Sequence, residues 1–191
     1  QPKPSSFIFL SLKRYVLNIE FLYKIFIRPW HILVFRKADY ITAISNYLKG
    51  RARKNSAKCR IEIIPNAVDL ETFGEELSEE ALLETKRKLG KKDGDKFIIH
   101  TGRLVLKNAL NDVIKALAYL PENIKFLSVG GGNVGEKEKL ENLARQLKLS
   151  SRVIFLDFIG HKELARYLKI SDIFIRPSLS EGLGSSFLEA M

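Results

Sequence analysis

Two glutamates near the carboxyl end are the residues whose type and spacing best suit chemistry. Glu181 and Glu189 bracket Gly182-Leu183-Gly184-Ser185-Ser186-Phe187-Leu188, so seven residues separate two carboxylates. Directly upstream, Asp172-Ile173-Phe174-Ile175-Arg176 has the apolar, β-branched character of a short buried strand, and Pro177 ends it. Ser186-x-x-Glu189 has the spacing of a helix capping box. A glycine-shaped loop between strand and helix turns backbone N–H groups toward a helix start, where phosphate or another anion is favoured. Carboxylates beside such a pocket accept hydrogen bonds from hydroxyls, which together suits a phosphorylated sugar such as a nucleotide-sugar. The same spacing also fits an ordinary helix start, with Glu189 merely capping Ser186 and Glu181 a solvated loop acid.

The frame Pro177-Ser178-x-x-Glu181-Gly182-x-Gly184, closed by Glu189-Ala190-Met191, resembles the signature of group-1 glycosyltransferases. These are retaining, glycogen-synthase-like enzymes with the GT-B fold of two Rossmann-type domains. The resemblance implies that Glu181 contacts the donor sugar, Glu189 the nucleotide ribose, and the amides of Gly182, Leu183 and Gly184 the donor. Farther upstream, the strand-like Phe97-Ile98-Ile99-His100 leads into Thr101-Gly102-Arg103-Leu104-Val105-Leu106-Lys107-Asn108. This segment resembles the family's Gly-Arg-Leu…Lys-Gly stretch, which implies that Gly102, Arg103 and Lys107 hold the donor diphosphate. Arginine offers phosphate a fixed fork of donors and lysine a mobile point charge. Both would stabilise the negative charge that builds on a leaving diphosphate. Arg103, Lys107 and Glu181 are accordingly the expected catalytic residues. Two departures stand out: Lys107 follows Arg103 by four residues where the family has five, and Asn108 stands where the family has glycine.

The elements that must position these residues keep a regular rhythm. Strand-like runs occur at 96–100, 124–129, 152–156 and 172–176, with helical patterns at about 109–119, 136–148 and 162–169; Ala109, Val113, Ile114, Ala116 and Leu117 share one face of the first. Alternation at this spacing predicts an α/β fold, a Rossmann-like, doubly wound parallel sheet with right-handed crossovers. Ligands of such sheets bind beyond the carboxyl ends of the strands. Arg103, the Gly130–Gly132 turn, Asp157 and Glu181 all follow strand ends and are expected on one rim. By resemblance, Gly132 belongs to a Val-Gly-x-Gly turn beside the donor, and the backbone around Asp157-Phe158-Ile159 meets the base.

Two motifs point elsewhere. Gly130-Gly131-Gly132-Asn133-Val134-Gly135 has the G-x-G-x-x-G spacing of an NAD(P) or FAD site, so a dinucleotide-binding oxidoreductase domain is the rival reading. That fingerprint normally opens the first βα unit, whereas here a βα unit precedes it. Asp93-Gly94-Asp95 could hold a divalent metal on a diphosphate, yet its setting among glycines and lysines ahead of a strand predicts a surface turn. Three scattered histidines give no ligand cluster, and neither metal nor cofactor is expected.

Charge divides the chain. Residues 1–60 carry 13 Lys and Arg against Glu20 and Asp39, a net of +11, while residues 61–191 carry 19 against 20. A basic nucleic-acid-binding module is conceivable on that footprint, but the aromatics follow apolar periodicity instead of interleaving with the cations, and no nucleic-acid partner is expected. From Phe7 to Ile27 the pattern predicts a helix, with Lys13, Glu20, Lys24 and Arg28 on one stripe. Its apolar sides suit a domain core; the alternative is an anionic membrane surface contacted through residues 1–60. The charges argue against a transmembrane span. Ala38-Asp39-Tyr40-Ile41-Thr42-Ala43-Ile44-Ser45, a basic helix near 46–55, and Ile61-Glu62-Ile63-Ile64-Pro65-Asn66-Ala67-Val68-Asp69 resemble the end of the family's N-terminal domain and its interdomain link. The expected division is therefore 1–66, the tail of an acceptor-side Rossmann-like domain, and 67–191, an incomplete donor-binding domain. The resemblance implies a UDP- or GDP-sugar donor and a glycan or lipid-phosphate acceptor. It also implies that the 191 residues alone do not turn over, since the acceptor-side loop and histidine of the family are not among them. A single cysteine, Cys59, suits a reducing cytoplasm, with a peripheral position on the cytoplasmic membrane face as the further expectation.

Overall fold

The computed structural model describes residues 21–132 and 134–191, and they divide into two compact units on either side of the Pro65–Asn66 bond. Most of the helix expected over 7–27 lies outside the described residues, as does Asn133 of the glycine motif. Residues 21–27 are helical, with a π-helical turn over Tyr23–Ile27, and lead into α1 (Arg28–Lys37). In place of the expected buried face, this helix leaves Phe21, Phe26 and Trp30 more than 60% exposed. No helix among the described residues is long and apolar enough to cross a membrane.

The rest of the first unit is a small βαβ turn. β1 (Tyr40–Ala43) pairs in parallel with β2 (Arg60–Ile63), joined through α2 (Asn46–Lys54). Ser45 caps α2 by accepting the Leu48 N–H, and Arg51, Arg53 and Lys54 crowd its last turn, where the helix dipole favours cations. Ala43, Ala52, Ala57 and Ile61 form the core, covered by Phe35, Ile41 and Leu48.

The second unit carries the doubly wound sheet. Its four strands, β3 (Lys96–Thr101), β4 (Ile124–Val129), β5 (Val153–Leu156) and β6 (Ile173–Phe174), are all parallel in the order β5-β4-β3-β6. Alternation along the strands explains why both faces need cover. Ile98 and Phe126 pack with Leu110, Val113, Ile114 and Leu117 of α5 (Leu110–Leu117) and with Ala144 of α6 (Val134–Gln146). Phe97, Ile99, Leu127 and Val129 point the other way, onto Leu164 and Tyr167 of α7 (His161–Lys169). Phe73 of α3 (Leu70–Phe73) and Leu82 of α4 (Glu79–Lys88) complete that side.

Regular pairing in the strand expected at 172–176 is confined to Ile173–Phe174, although the Asp172 and Ile175 N–H groups still reach the Phe97 and Ile99 carbonyls. Ala109, expected on the apolar face of α5, instead precedes it with a left-handed backbone (φ 52°). Asp93-Gly94-Asp95 is a turn at the amino end of β3, away from the strands' carboxyl rim. Asp95 accepts the Lys92 N–H and pairs with Lys125 at 2.6 Å, both side chains being largely buried. Such a carboxylate already has its cation.

α4 begins with a local signal, Ser78 accepting the Ala81 N–H at 3.3 Å, followed by Glu79 and Glu80 and ended by Lys86, Arg87 and Lys88. Ser78→Ala is expected to cost about 1 kcal/mol of stability, measured by urea unfolding. A change within error would show that the dipole-matched charges suffice without the cap.

Candidate functional site

From β3 the chain steps outward to β4 and β5, then returns to the other side of β3 as β6. The loops after β3 and β6 therefore diverge at a topological switch point, where doubly wound sheets open a crevice. A cavity of about 370 Å³ lies there. Thr101, Gly102 and Arg103 line it from the end of β3, Gly130 and Gly131 from the end of β4, and Phe158, Ile159 and His161 from the β5–α7 loop. Arg176, Ser185, Ser186 and Glu189 close it from β6 and α8 (Ser185–Ala190).

Glycines bring these loops together. A Cβ on Gly130 would stand 2.3 Å from the Gly102 carbonyl oxygen, and one on Gly132 would stand 2.6 Å from Leu104 Cβ. Gly130 and Gly132 thus serve loop packing, and Leu104 and Gly132 form a parallel bridge. The fingerprint glycines that suggested a dinucleotide site sit after β4, between two neighbouring strands, one strand away from the switch point.

The Glu181 loop is organised by Arg176. Its Nε and Nη2 donate to Glu181 Oε2 at 3.1 and 3.0 Å; its Nη1 donates to the Thr101 carbonyl at 3.1 Å and to Ser186 Oγ at 2.6 Å. Glu181 Oε1 accepts the Gly182 N–H at 3.2 Å and lies 3.8 Å from Lys107 Nζ. Burial opposes ionisation of Glu181, but the hydrogen bonds from Arg176 and Gly182, with the Arg176 and Lys107 charges, outweigh it and hold the carboxyl below its ordinary range. Asn66 secures the far side of the loop by donating to the Leu183 carbonyl at 3.1 Å.

The capping box is not formed. α8 starts at Ser185 with Gly184 as its cap and no side-chain capping bond, and Ser186 lies inside the helix, engaged by Arg176. Ser186 and Glu189 had the right spacing, but the helix begins one residue before Ser186, and Arg176, just past β6, donates to the hydroxyl. Glu189 consequently has no hydrogen-bond or ion-pair partner among the described residues, and it faces the cavity. The same is true of the exposed Arg103 guanidinium.

The shortened spacing between Arg103 and Lys107 is accommodated by a 3₁₀ turn, Leu106–Asn108. Asn108 is buried there, donating to the Arg103 carbonyl at 2.7 Å and accepting from Ser178 Oγ at 3.3 Å. The Lys107 carbonyl accepts the Leu179 N–H, which brings the lysine beside Glu181.

Of the residues singled out from the sequence, Gly102, Arg103, Phe158 and Glu189 line the cavity. Lys107 and Glu181 form a pair beside it, Gly182, Leu183 and Gly184 make the connecting loop, and Gly132 buttresses Leu104. Sequence reasoning missed Arg176, His161 and Thr101, whose buried hydroxyl has no partner among the described residues. A signal existed for Arg176, a cation closing an apolar strand immediately before Pro177.

Comparison with known proteins shows the family and the fold. The family described as glycosyl transferases group 1 matches residues 83–191. An uncharacterized glycosyltransferase of Methanocaldococcus jannaschii is 30% identical over 139 residues, 72% of this chain and 35% of that protein. The alpha-monoglucosyldiacylglycerol synthase of Streptococcus pneumoniae is 33% identical over 155 residues, 80% of this chain and 35% of the synthase. Among solved structures, Anabaena HepE in complex with UDP and glucose matches with a TM-score of 0.74 at 24% identity, covering 85% of this chain and 44% of that one. The chain spans about a third of the length of the curated relatives it matches. With its switch-point cavity, its α/β Rossmann-like fold and more than half its length matched, the chain belongs to the group-1 glycosyl transferases.

Proposed function

We propose that this chain is mainly the donor-binding part of a retaining glycosyltransferase that moves a sugar from a nucleoside-diphosphate sugar to an acceptor hydroxyl. One observation carries the reading: the cavity is lined by a guanidinium and a carboxylate, Arg103 and Glu189, that both lack partners among the described residues. An unpaired cation suits a diphosphate, and an unpaired carboxylate suits ribose hydroxyls. Lys107 adds charge for the leaving diphosphate without a metal, Glu181 positions the sugar, the amides of Gly182–Gly184 contact the donor, and the backbone at Phe158 meets the base. The UDP and glucose bound by Anabaena HepE support a nucleotide-sugar of this kind. The diacylglycerol glycoside named in the Streptococcus pneumoniae relative, together with the +11 of residues 1–60, supports a lipid-linked or glycan acceptor met at the cytoplasmic face of an anionic membrane.

The test is a calorimetric titration with UDP, GDP, ADP and NADH. One nucleoside diphosphate is expected to bind saturably, and Arg103→Ala and Glu189→Ala are each expected to weaken it about tenfold or more. Binding of NADH alone would overturn the donor reading.

A further inference from the structure

Arg176 is 14% exposed and sits in a slot that glycines make possible. A Cβ on Gly102 would come within 3.1 Å of its Nη1, and one on Gly184 within 3.2 Å of its Nε. An arginine has five N–H groups. Four are engaged: one on Nε and one on Nη2 by Glu181, and two on Nη1 by Thr101 and Ser186. Little remains for a phosphate oxygen, so the geometry argues against a direct donor contact even though the residue borders the cavity.

We propose, resting on the donor-binding reading above, that Arg176 is a positioning residue. By occupying Glu181 Oε2 with two N–H groups, it fixes the carboxylate so that Oε1, the oxygen on the Lys107 side, is the one presented to the donor sugar. Its other two bonds fasten the end of β3, which carries Gly102 and Arg103, to the first turn of α8, which carries Glu189. One side chain therefore ties the diphosphate-binding segment both to Glu181, which positions the sugar, and to the helix that carries Glu189. The groups around Glu181 that bear on its charge are Arg176, the Gly182 N–H on Oε1, and Lys107, and Arg176 in turn adjoins the buried His100 ring.

The experiment compares UDP with UDP-glucose, UDP-galactose and UDP-N-acetylglucosamine, and GDP with GDP-mannose, on wild type, Arg176→Met, Glu181→Gln and the double variant. The quantity read is the sugar increment, the ratio of Kd for the bare diphosphate to that for the best sugar conjugate. Arg176→Met is expected to lose that increment about tenfold, as Glu181→Gln does, while weakening the bare diphosphate far less. The double variant is expected to be no worse than either single one, because both remove the same interaction. Arg176→Lys, which keeps charge but cannot give one oxygen a guanidinium fork, should restore the increment only in part. Should Arg176→Met fail to fold, Arg176→Lys is compared in the same way.

An undiminished sugar increment, equal losses on the bare diphosphate, or additive losses in the double variant would each overturn the positioning role while leaving the donor site standing. Wild type that binds none of these nucleotides would overturn the donor reading itself and the positioning role with it.

Discussion

Replacing Gly130 with alanine is expected to destabilise the second unit by about 3 kcal/mol or more. Two costs combine. The backbone at Gly130 has φ +132°, a conformation that L side chains rarely adopt, and the new Cβ would lie 2.3 Å from the Gly102 carbonyl oxygen and 2.9 Å from its carbon. The obstruction is backbone, so no side-chain rotation relieves it. Gly102 cannot retreat easily either: its N–H donates to the Val129 carbonyl, and its Cα faces Arg176 and His100. Relief would displace the Gly102–Arg103 segment from the cavity, and nucleotide affinity should fall with stability. Gly131→Ala is the control, because a Cβ there meets nothing within 4 Å. Urea unfolding of the two variants decides the matter. Equal, small losses would mean that the loops after β3 and β4 do not approach as described.

The site was legible where chemistry and topology coincide. Gly102 and Arg103 stand just past the end of β3 and Glu181 on the loop that follows β6, and a doubly wound sheet gathers such loops whatever their sequence separation. Glu189 was singled out by its spacing from Glu181, against the plainer reading that it merely caps Ser186. Its spacing from Ser186 satisfies a capping box, yet Arg176, just past β6, won the hydroxyl. The two outcomes share one sequence pattern and differ only in tertiary neighbours. Arg176 escaped notice because its partners are 5, 10 and 75 residues away, and periodicity says only that it ends a strand. Whether Lys107 reaches the site depended on the 3₁₀ turn and the left-handed Ala109. Alanine carries no local preference for that conformation, so nothing in the sequence around it signals the turn that the buried Asn108 makes with Arg103 and Ser178. The helix over 7–27 was expected to suit a domain core because apolar residues cover most of its sides, and of it residues 21–27 are described. Among the described residues Phe21, Phe26 and Ile27 are exposed, and the core of the first unit engages Phe35, Ile41 and Leu48 instead.

Stability should fall by roughly 3 kcal/mol as the pH drops from 6.5 to 4, with His100 as the cause. The ring is fully buried. Its Nδ1 lies 3.2 Å from the Ile175 carbonyl, an acceptor, so Nδ1 carries the proton and Nε2 is left bare, with no partner among the described residues. Burial pushes the ring from its ordinary 6.5 down to about 4; the Ile175 bond opposes this, and the nearby Arg176 charge adds to it. The sign follows directly. Below 6.5 the unfolded chain binds a proton that the folded chain refuses, so the His100 contribution is complete above 6.5 and lost as the pH approaches 4. Asp172 acts in a separate window. Burial disfavours its charge, but hydrogen bonds from Lys96, the Phe97 N–H and Lys91 hold it at about 2. Its stabilising contribution is therefore lost only below roughly pH 4. His100→Asn keeps a donor for the Ile175 carbonyl and cannot ionise. Urea unfolding at pH 7.0 and 4.5 should show the wild type losing most of the difference and the variant losing little. A variant that falls as steeply would assign the loss to another group. The consequence reaches the site, because Nε2 lies under Gly102 and beside Arg176, and a charged ring there would repel the guanidinium that holds Glu181.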